Sequence, residues 1–374
     1  MRIDFLKDEK EWNSREINDN WKKLIENNDN LNVLFQSPDW FNHLYQIDNN
    51  SKLLLGVAYS DEHEAVGFIP LRIGPYNLYF DLKLYNFCTS KLETIFILGS
   101  VPILPSDPRY YDQFFDKITT ICPDWDCLYL DSVPIQSYFW KYLINSKVVE
   151  DHFLFYTLDG IRPFYYKTLP TSFEEYIKTL KRSYRKDFKR KLKIINSDFS
   201  DDVKIVRIEN SDEVPIFLEK AVDISKKSWQ YQQIGGNVLF QKEIEKKLGY
   251  LAQKKILRSY LLTCHNTPIA YLLGYNYLDT FMAAEIAYDL SYSKYSPGII
   301  MLFLILKDLI EHHPVKIFHF GVGDAYYKKR FANEQLLDVS VLLFRKNMRN
   351  QILKFNHGLF RFTIRSLRDF IKNK

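Results

Sequence analysis

"TFMAAEIAYDLSYSKYSPGIIMLFLILKDLIEHHPVKIFHFGVGDAYYKKRF", residues 280–331, carries four changes of character in one run. "TFMAAEIAYD" is rich in apolar and β-forming residues and predicts a strand. "SYSKYSPG" breaks it. "IIMLFLILKDLIEHH" is apolar on most faces, which predicts a buried helix, and Pro314 stops it. "VKIFHFG" predicts a short buried strand, two glycines turn the chain, and "DAYYKKRFA" predicts a short helix. Upstream, "ILRSYLLTC" and "IAYLLGYNY" flank the turn "HNTP" and complete an antiparallel meander with the third strand. Downstream, "LDVSVLLFRK" predicts one more strand. The order is β-β-β-α-β-α-β.

The first half repeats that order in outline. "KLLLGVAYS" and "AVGFIPLRIG" flank "DEHE", with a further strand in "LKLYNF" or "TIFILG". "SDPRYYDQFFDKITTIC" predicts a helix with Ser106 or Asp107 as cap and Pro108 in its first turn. "DCLYLDSV" and "IQSYFWKYLIN" follow as strand and helix. Between the halves, apolar residues at 173, 177, 180, 184, 188, 192 and 195 repeat at three-to-four spacing and predict a helical connection. Its remaining faces carry the basic run "KRSYRKDFKRKLK", and Thr171 or Ser172 is placed to cap it.

Composition bounds the reading. The chain has 374 residues, 46% apolar and 26% charged, enough for two domains with cores. Its net charge of +5 is concentrated in 181–193 and in the tail from Arg345 onward. Cys88, Cys122, Cys127 and Cys264 form neither a disulfide pattern nor a zinc pattern, which suits a reducing, cytoplasmic setting. The N-terminal residues lack the apolar core of a signal peptide. The longest apolar run is far short of the ~20 residues of a membrane span.

These elements, taken with "FQSPDWF", "KKSW", "SPG" and "GxGDxxYK" in that order along 35–345, resemble one bacterial family. It is the CelD-like, cellulose-biosynthesis-type branch of the GNAT acetyltransferases. The family is similar in turn to the Fem-type aminoacyltransferases, which are tandem GNAT domains. The resemblance implies an α/β (α+β) fold of two tandem GNAT-like domains, with mixed, largely antiparallel sheets flanked by helices. The bounds expected are a degenerate domain over 1–155, an acyltransferase domain over 156–345 that includes the basic segment 171–195, and a basic amphipathic tail over 346–374. It implies an acyl-CoA donor, usually acetyl-CoA, no metal, and a small-molecule or glycan acceptor.

Candidate residues follow. A helix N-terminus offers unpaired N–H donors and a partial positive charge. Ser296, Pro297 and Gly298, with Lys294 nearby, would then receive the donor's pyrophosphate, and Gly321 would line the same cleft. An ordinary Ser-Pro helix start is the other reading. By resemblance Lys328 would stabilise the oxyanion and Tyr327 would protonate the leaving thiolate. Asp324 would cap the helix or hold a base or amine. Glu285 is the preferred general base; Asp289 shares its strand face, and His319 is the substitute or a core histidine. A Gly-turn with solvated lysines accounts for the same residues without chemistry. Trp229, Arg185 and Asp289 would contact the acceptor, with a core Trp, a solvated helix face and a strand-end surface acid as the plain alternatives. The basic helix lacks a nucleic-acid motif, so no nucleic acid is expected. The tail would rest on an anionic membrane surface or dock back on the second domain. Rival functions are an aminoacyl-tRNA-dependent transferase of the Fem type and a non-enzymatic scaffold.

Overall fold

Strands form where β-branched and aromatic side chains alternate, and helices where apolar residues recur every three to four positions. The computed structural model of the chain describes residues 1–374 apart from 29–30, 48–51, 83–84, 122–123, 235–237, 242 and 373–374. Cys122 therefore lies outside the described residues. Two units are distinguished, Met1–Arg162 with Leu336–Lys374, and Pro163–Gln335.

The first unit runs β1 (Arg2–Leu6), α1 (Glu9–Trp12), α2 (Arg15–Glu26), α3 (Pro38–Ile47), β2 (Lys52–Tyr59), β3 (Ala65–Leu82), β4 (Tyr85–Ile97), α4 (Pro108–Ile121), β5 (Cys127–Pro134), α5 (Tyr138–Asn145) and α6 (Lys147–His152). Strand β6 (Phe153–Thr168) begins in this unit and ends in the second. The unit's sheet has the order β1-β2-β3-β4-β5-β12-β6, where β12 is Glu334–Arg345. β4 and β5 are parallel and are joined through α4. Helix α14 (Met348–Lys372) ends the chain.

The strand "LDVSVLLFRK", expected to close the second half, instead runs antiparallel to β5 from Asp338 onward. The reason is its buried face. Val339, Val341 and Leu343 join Leu128, Leu130 and Val133 in the first unit's core.

The second unit continues with α7 (Phe173–Thr179), α8 (Arg182–Asp198), β7 (Val203–Ile208), α9 (Val214–Lys226), α10 (Trp229–Ile234), α11 (Ile244–Gln253), β8 (Ser259–Cys264), β9 (Thr267–Tyr277), β10 (Thr280–Tyr288), α12 (Pro297–Glu311), β11 (Ile317–Val322) and α13 (Tyr326–Phe331). A 3-10 turn, Leu290–Tyr295, joins β10 to α12. Sheet order is β6-β11-β10-β9-β8-β7, antiparallel except for the β10–β11 pair. Each unit thus contains a parallel β-α-β crossover beside an antiparallel meander.

The core of this unit is the layer between α12 and the sheet. Ile300, Met301, Ile305 and Leu309 of α12 are fully buried against Phe281, Phe318 and Leu272. Burying side chains of this size contributes ~1.5–3 kcal/mol each. α7 and α8 cover the outer face of α12, where Phe188 stacks on Phe303. The single helix read over 171–195 is broken at Leu180 and Lys181, both extended (ψ 143° and 142°). That break lets Tyr176, Leu180, Phe188 and Ile195 all reach the same core. Ser172 Oγ accepts the Glu175 amide at 3.2 Å and caps α7.

Candidate functional site

The site begins where two strands part. β10 and β11 pair over Thr280–Met282 and Ile317–His319 only, yet β10 runs on to Tyr288 and β11 to Val322. A bulge between Ala283 and Glu285 re-aims the far half of β10. Beyond it the freed edge is met from α10, where Gln230 donates to the Ile286 carbonyl at 2.9 Å. The edges of β10 and β11 therefore part beyond Met282 and His319.

At the β10 end of this parting stands the N-terminus of α12. Ser296 is left-handed (φ 56°, ψ 57°), Pro297 and Gly298 open the helix, and no side chain caps it. Its first turn holds no acid. The Ile299 and Ile300 amides turn back to the Ser296 carbonyl (3.0 and 3.3 Å). A Cβ on Gly298 would meet only Tyr288, at an ordinary 3.6 Å. Packing inside the fold thus does not demand glycine there. Lys294 is exposed, 3.4 Å from Asp198 and over the Tyr295 ring.

The matching helix of the first unit is finished differently. Asp107 precedes Pro108 of α4; its Oδ1 accepts the Arg109 amide at 3.0 Å, and both oxygens bind the Arg109 side chain. A carboxylate already answers that helix end, so an incoming anion would meet negative charge.

At the β11 end, Gly321 (φ 79°) and Gly323 (φ 105°) curl the chain back over itself. The curl presents the Val322 carbonyl to Lys328, whose Nζ donates to it at 2.7 Å. Lys328 is 8% exposed, and burial lowers its pKa to about 8. An ammonium with spare donors therefore sits at the strand's end. Tyr327 is half-buried; burial pushes its phenol up to about 12, so the proton stays on at neutral pH. His319 is buried with neither ring nitrogen hydrogen-bonded, edge-on to Phe164, and burial drops its pKa to about 3. It is neutral across the physiological range.

Other candidates are held elsewhere. Glu285 is half-buried beyond the bulge, where the Tyr271 hydroxyl donates to it. Asp324 does not cap α13: Ala325 is the N-cap, and Asp324 pairs with Lys329 at 2.7 Å. Asp289 caps the 3-10 turn through Ser291 (2.9 Å to its amide) and faces Lys227 at 3.8 Å, so its carboxylate is engaged in the fold. Trp229 is 57% exposed at the start of α10, not a core residue. Arg185 lies half-buried on α8. Among the described residues, no three His, Cys, Asp or Glu side chains are grouped to hold a metal. Nor is any helix there long and apolar enough to cross a membrane.

Sequence reasoning did not single out Gln230, Tyr271 or the bulge. The small pair Ala283–Ala284 is the one local hint of the bulge; Gln230 carries no signal of its own.

Residues 182–329 match a family described as "Acetyltransferase (GNAT) domain". No curated protein matches the sequence. Among solved structures, the chain is similar to FemX at 10% identity and TM-score 0.61, covering 90% of this chain and 98% of that one. A tandem GNAT protein from the clavulanic acid biosynthesis pathway gives 11% identity and TM-score 0.50, covering 92% and 99%. A protein of unknown function from Bacteroides thetaiotaomicron gives 10%, 0.52, 91% and 99%. The chain has the tandem GNAT-like, Fem-like fold, and its second unit carries the segment that matches the GNAT acetyltransferase domain.

Proposed function

We propose that the second unit transfers an acyl group, typically acetyl, from coenzyme A to an amine or hydroxyl acceptor. The observation that carries this reading is the uncapped, acid-free N-terminus of α12 beside the parted strands β10 and β11. The donor's pyrophosphate would take the Gly298 amide and the helix's positive end. The Gln230 side chain on the Ile286 carbonyl marks the strand edge along which its pantetheine arm would run.

In this mechanism the acceptor's lone pair attacks the thioester carbonyl carbon directly. Negative charge develops on the carbonyl oxygen, and the Lys328 ammonium answers it in a water-poor corner. Collapse expels the thiolate, which takes the Tyr327 proton. Glu285, relayed or direct, accepts the proton of the attacking amine. The second unit's one cysteine, Cys264, is buried, with its pKa raised first by burial, so the reading uses no acyl-enzyme there. A cytoplasmic setting and a sugar or polysaccharide-precursor acceptor accompany the CelD-like resemblance.

Calorimetry with acetyl-CoA and coenzyme A tests the donor. Saturable binding of both is expected. Absence of any heat at high protein concentration removes the coenzyme A reading and leaves the aminoacyl-tRNA reading, which the similarity to FemX favours.

We further propose that α14 lies on an anionic lipid surface. Met348, Ile352, Phe355, Leu359 and Phe362 form an exposed stripe at alternating four-and-three spacing. The helix carries six Lys and Arg against Asp369 alone, a charge that opposes pairing of two copies. Sedimentation with phosphatidylglycerol vesicles should pull the protein down, and phosphatidylcholine vesicles should not. The pair F355S/F362S should reduce the effect about tenfold by removing buried apolar area. Equal recovery of the pair and the parent would sink the idea.

A further inference from the structure

A second concavity of about 420 Å³ opens in the second unit, and no residue of the α12 N-terminus lines it. Lys167 of β6 forms part of its wall, together with the α7–α8 junction at 179–181 and the end of α13. Lys167 is only 3% exposed. Its Nζ reaches Thr179 Oγ1 at 3.3 Å and lies 5.7 Å from the Tyr176 ring, and it forms no ion pair with any described carboxylate. Burial lowers its pKa, opposed by the charge of Glu334. A buried ammonium with spare donors costs free energy unless something answers it.

The surroundings add positive charge. α8 is 17 residues long and starts at this junction with Lys181 as N-cap, no side-chain cap and no acid in its first turn. Lysine is the wrong charge for a helix start on its own account. Lys181 itself has no ion-pair partner among the described residues.

The remaining charges are already balanced. Arg330 is buried against Asp187 (2.8 Å) and the Tyr184 carbonyl (3.2 Å). Burial opposes ionisation of Asp187, yet hydrogen bonds from Lys191, Arg330 and Arg190 carry its carboxyl down to about 2. Lys329 pairs with Asp324 at 2.7 Å. Glu334, the acid of the lining, accepts the Thr168 amide and hydroxyl at 2.9 and 3.0 Å. Lys167 and Lys181 line this one cavity beside the start of α8, and Glu334, whose charge acts on Lys167, is its one carboxylate among the lining residues, so positive charge is in excess there.

We propose that this cavity binds the oxyanion of a small ligand, a phosphate monoester or a carboxylate, separate from the acyl donor. The volume is that of a small-molecule site. A buried lysine and an exposed one at the positive end of a helix form an arrangement suited to one anionic group rather than a polyanion. The inference stands whether or not coenzyme A is the donor.

Inorganic phosphate and acetate serve as probes, titrated at constant ionic strength and followed by phosphorus NMR and by thermal unfolding. Saturable binding of at least one anion is expected, and the two titrations identify which oxyanion is preferred. K167M keeps the side-chain volume and should weaken binding at least about tenfold, the loss of one charge-assisted hydrogen bond. K181A removes an exposed side chain that makes no bond in the fold, so it tests the site even if K167M folds poorly; a several-fold weakening is expected. K22A, on α2, should change nothing. No saturable binding of either anion, or binding by K181A and K167M equal to that of the parent, overturns the proposal. Displacement of the bound anion by acetyl-CoA overturns it too, because the cavity would then belong to the donor.

Discussion

Replacing Gly298 with Asp should abolish measurable acetyl-CoA binding while the protein stays folded. The substituted carboxylate would stand in the first turn of α12, where the donor's phosphates are proposed to lie. Two like charges ~4 Å apart near a protein surface repel by about 4 kcal/mol, which is roughly 1,000-fold in affinity. The fold has little reason to object. The new Cβ meets Tyr288 at 3.6 Å, an ordinary contact, and the backbone there is helical. An acid in a helix's first turn is favourable by ~0.3–1 kcal/mol. The chain itself supplies a related case, since Asp107, just before Pro108, shows a carboxylate seated at the start of the matching helix of the first unit. Calorimetry with acetyl-CoA measures the loss, and urea denaturation of the same samples checks the fold. Affinity unchanged within threefold would show that phosphates do not bind at α12. Gly298→Ala is the milder companion: it adds bulk without charge, so a modest loss with Ala beside a complete loss with Asp points to electrostatics.

Much of this geometry was legible in the sequence, for identifiable reasons. The meander over β8, β9 and β10 is marked by uninterrupted apolar and aromatic runs with polar turns between them. Helix α12 was found because its apolar residues cover most of its faces, a pattern that a buried crossover requires. The strand β12 reads correctly as a strand, and as the last one of the second half, whereas most of it lies in the first unit. Alternation reports that one face is buried, not which strand lies alongside, and Val339, Val341 and Leu343 fit the core of the first unit. Asp289 reads as an acid on the strand face of Glu285, and Asp324 as a helix cap or a partner of a base or amine, because a sequence does not disclose which acids are spent on which partners. The structure commits the first to Ser291 and the second to Lys329. Lys167 left no sequence signal, although Lys181 of the same cavity opens the basic run. A lone lysine in "FYYKT" reads as the polar face of a strand, and only tertiary packing buries it.

Lys328→Met should lower the rate of acyl transfer by ~100- to 1,000-fold, the usual effect of removing a charge-stabilising donor at an oxyanion. Donor affinity should stay within about threefold, because the ammonium faces the developing charge rather than the phosphates. Methionine fills the buried volume and removes a charged group from an apolar site, so stability should hold or rise. Acidity gives a readout that a purely structural lysine would not. In the folded chain Lys328 loses its proton near pH 8 rather than at the ordinary 10.5, because burial penalises the charged form. Between those values the unfolded chain carries a proton that the folded chain has released. Stability contributed through this residue therefore increases as pH rises from about 8 towards 10.5. Activity has the opposite sign, since the ammonium that answers the oxyanion disappears as pH climbs through about 8. His319 adds no limb there, being neutral from about pH 3 upward. Lys247, also lowered to about 8 by burial, shares the stability window but sits on α11, so only the difference between parent and Lys328→Met isolates the site. The parent should show an alkaline fall in kcat near pH 8, and the variant's residual rate should lack it. A fall that survives in the variant, or full activity in Lys328→Met, would assign the oxyanion to another group.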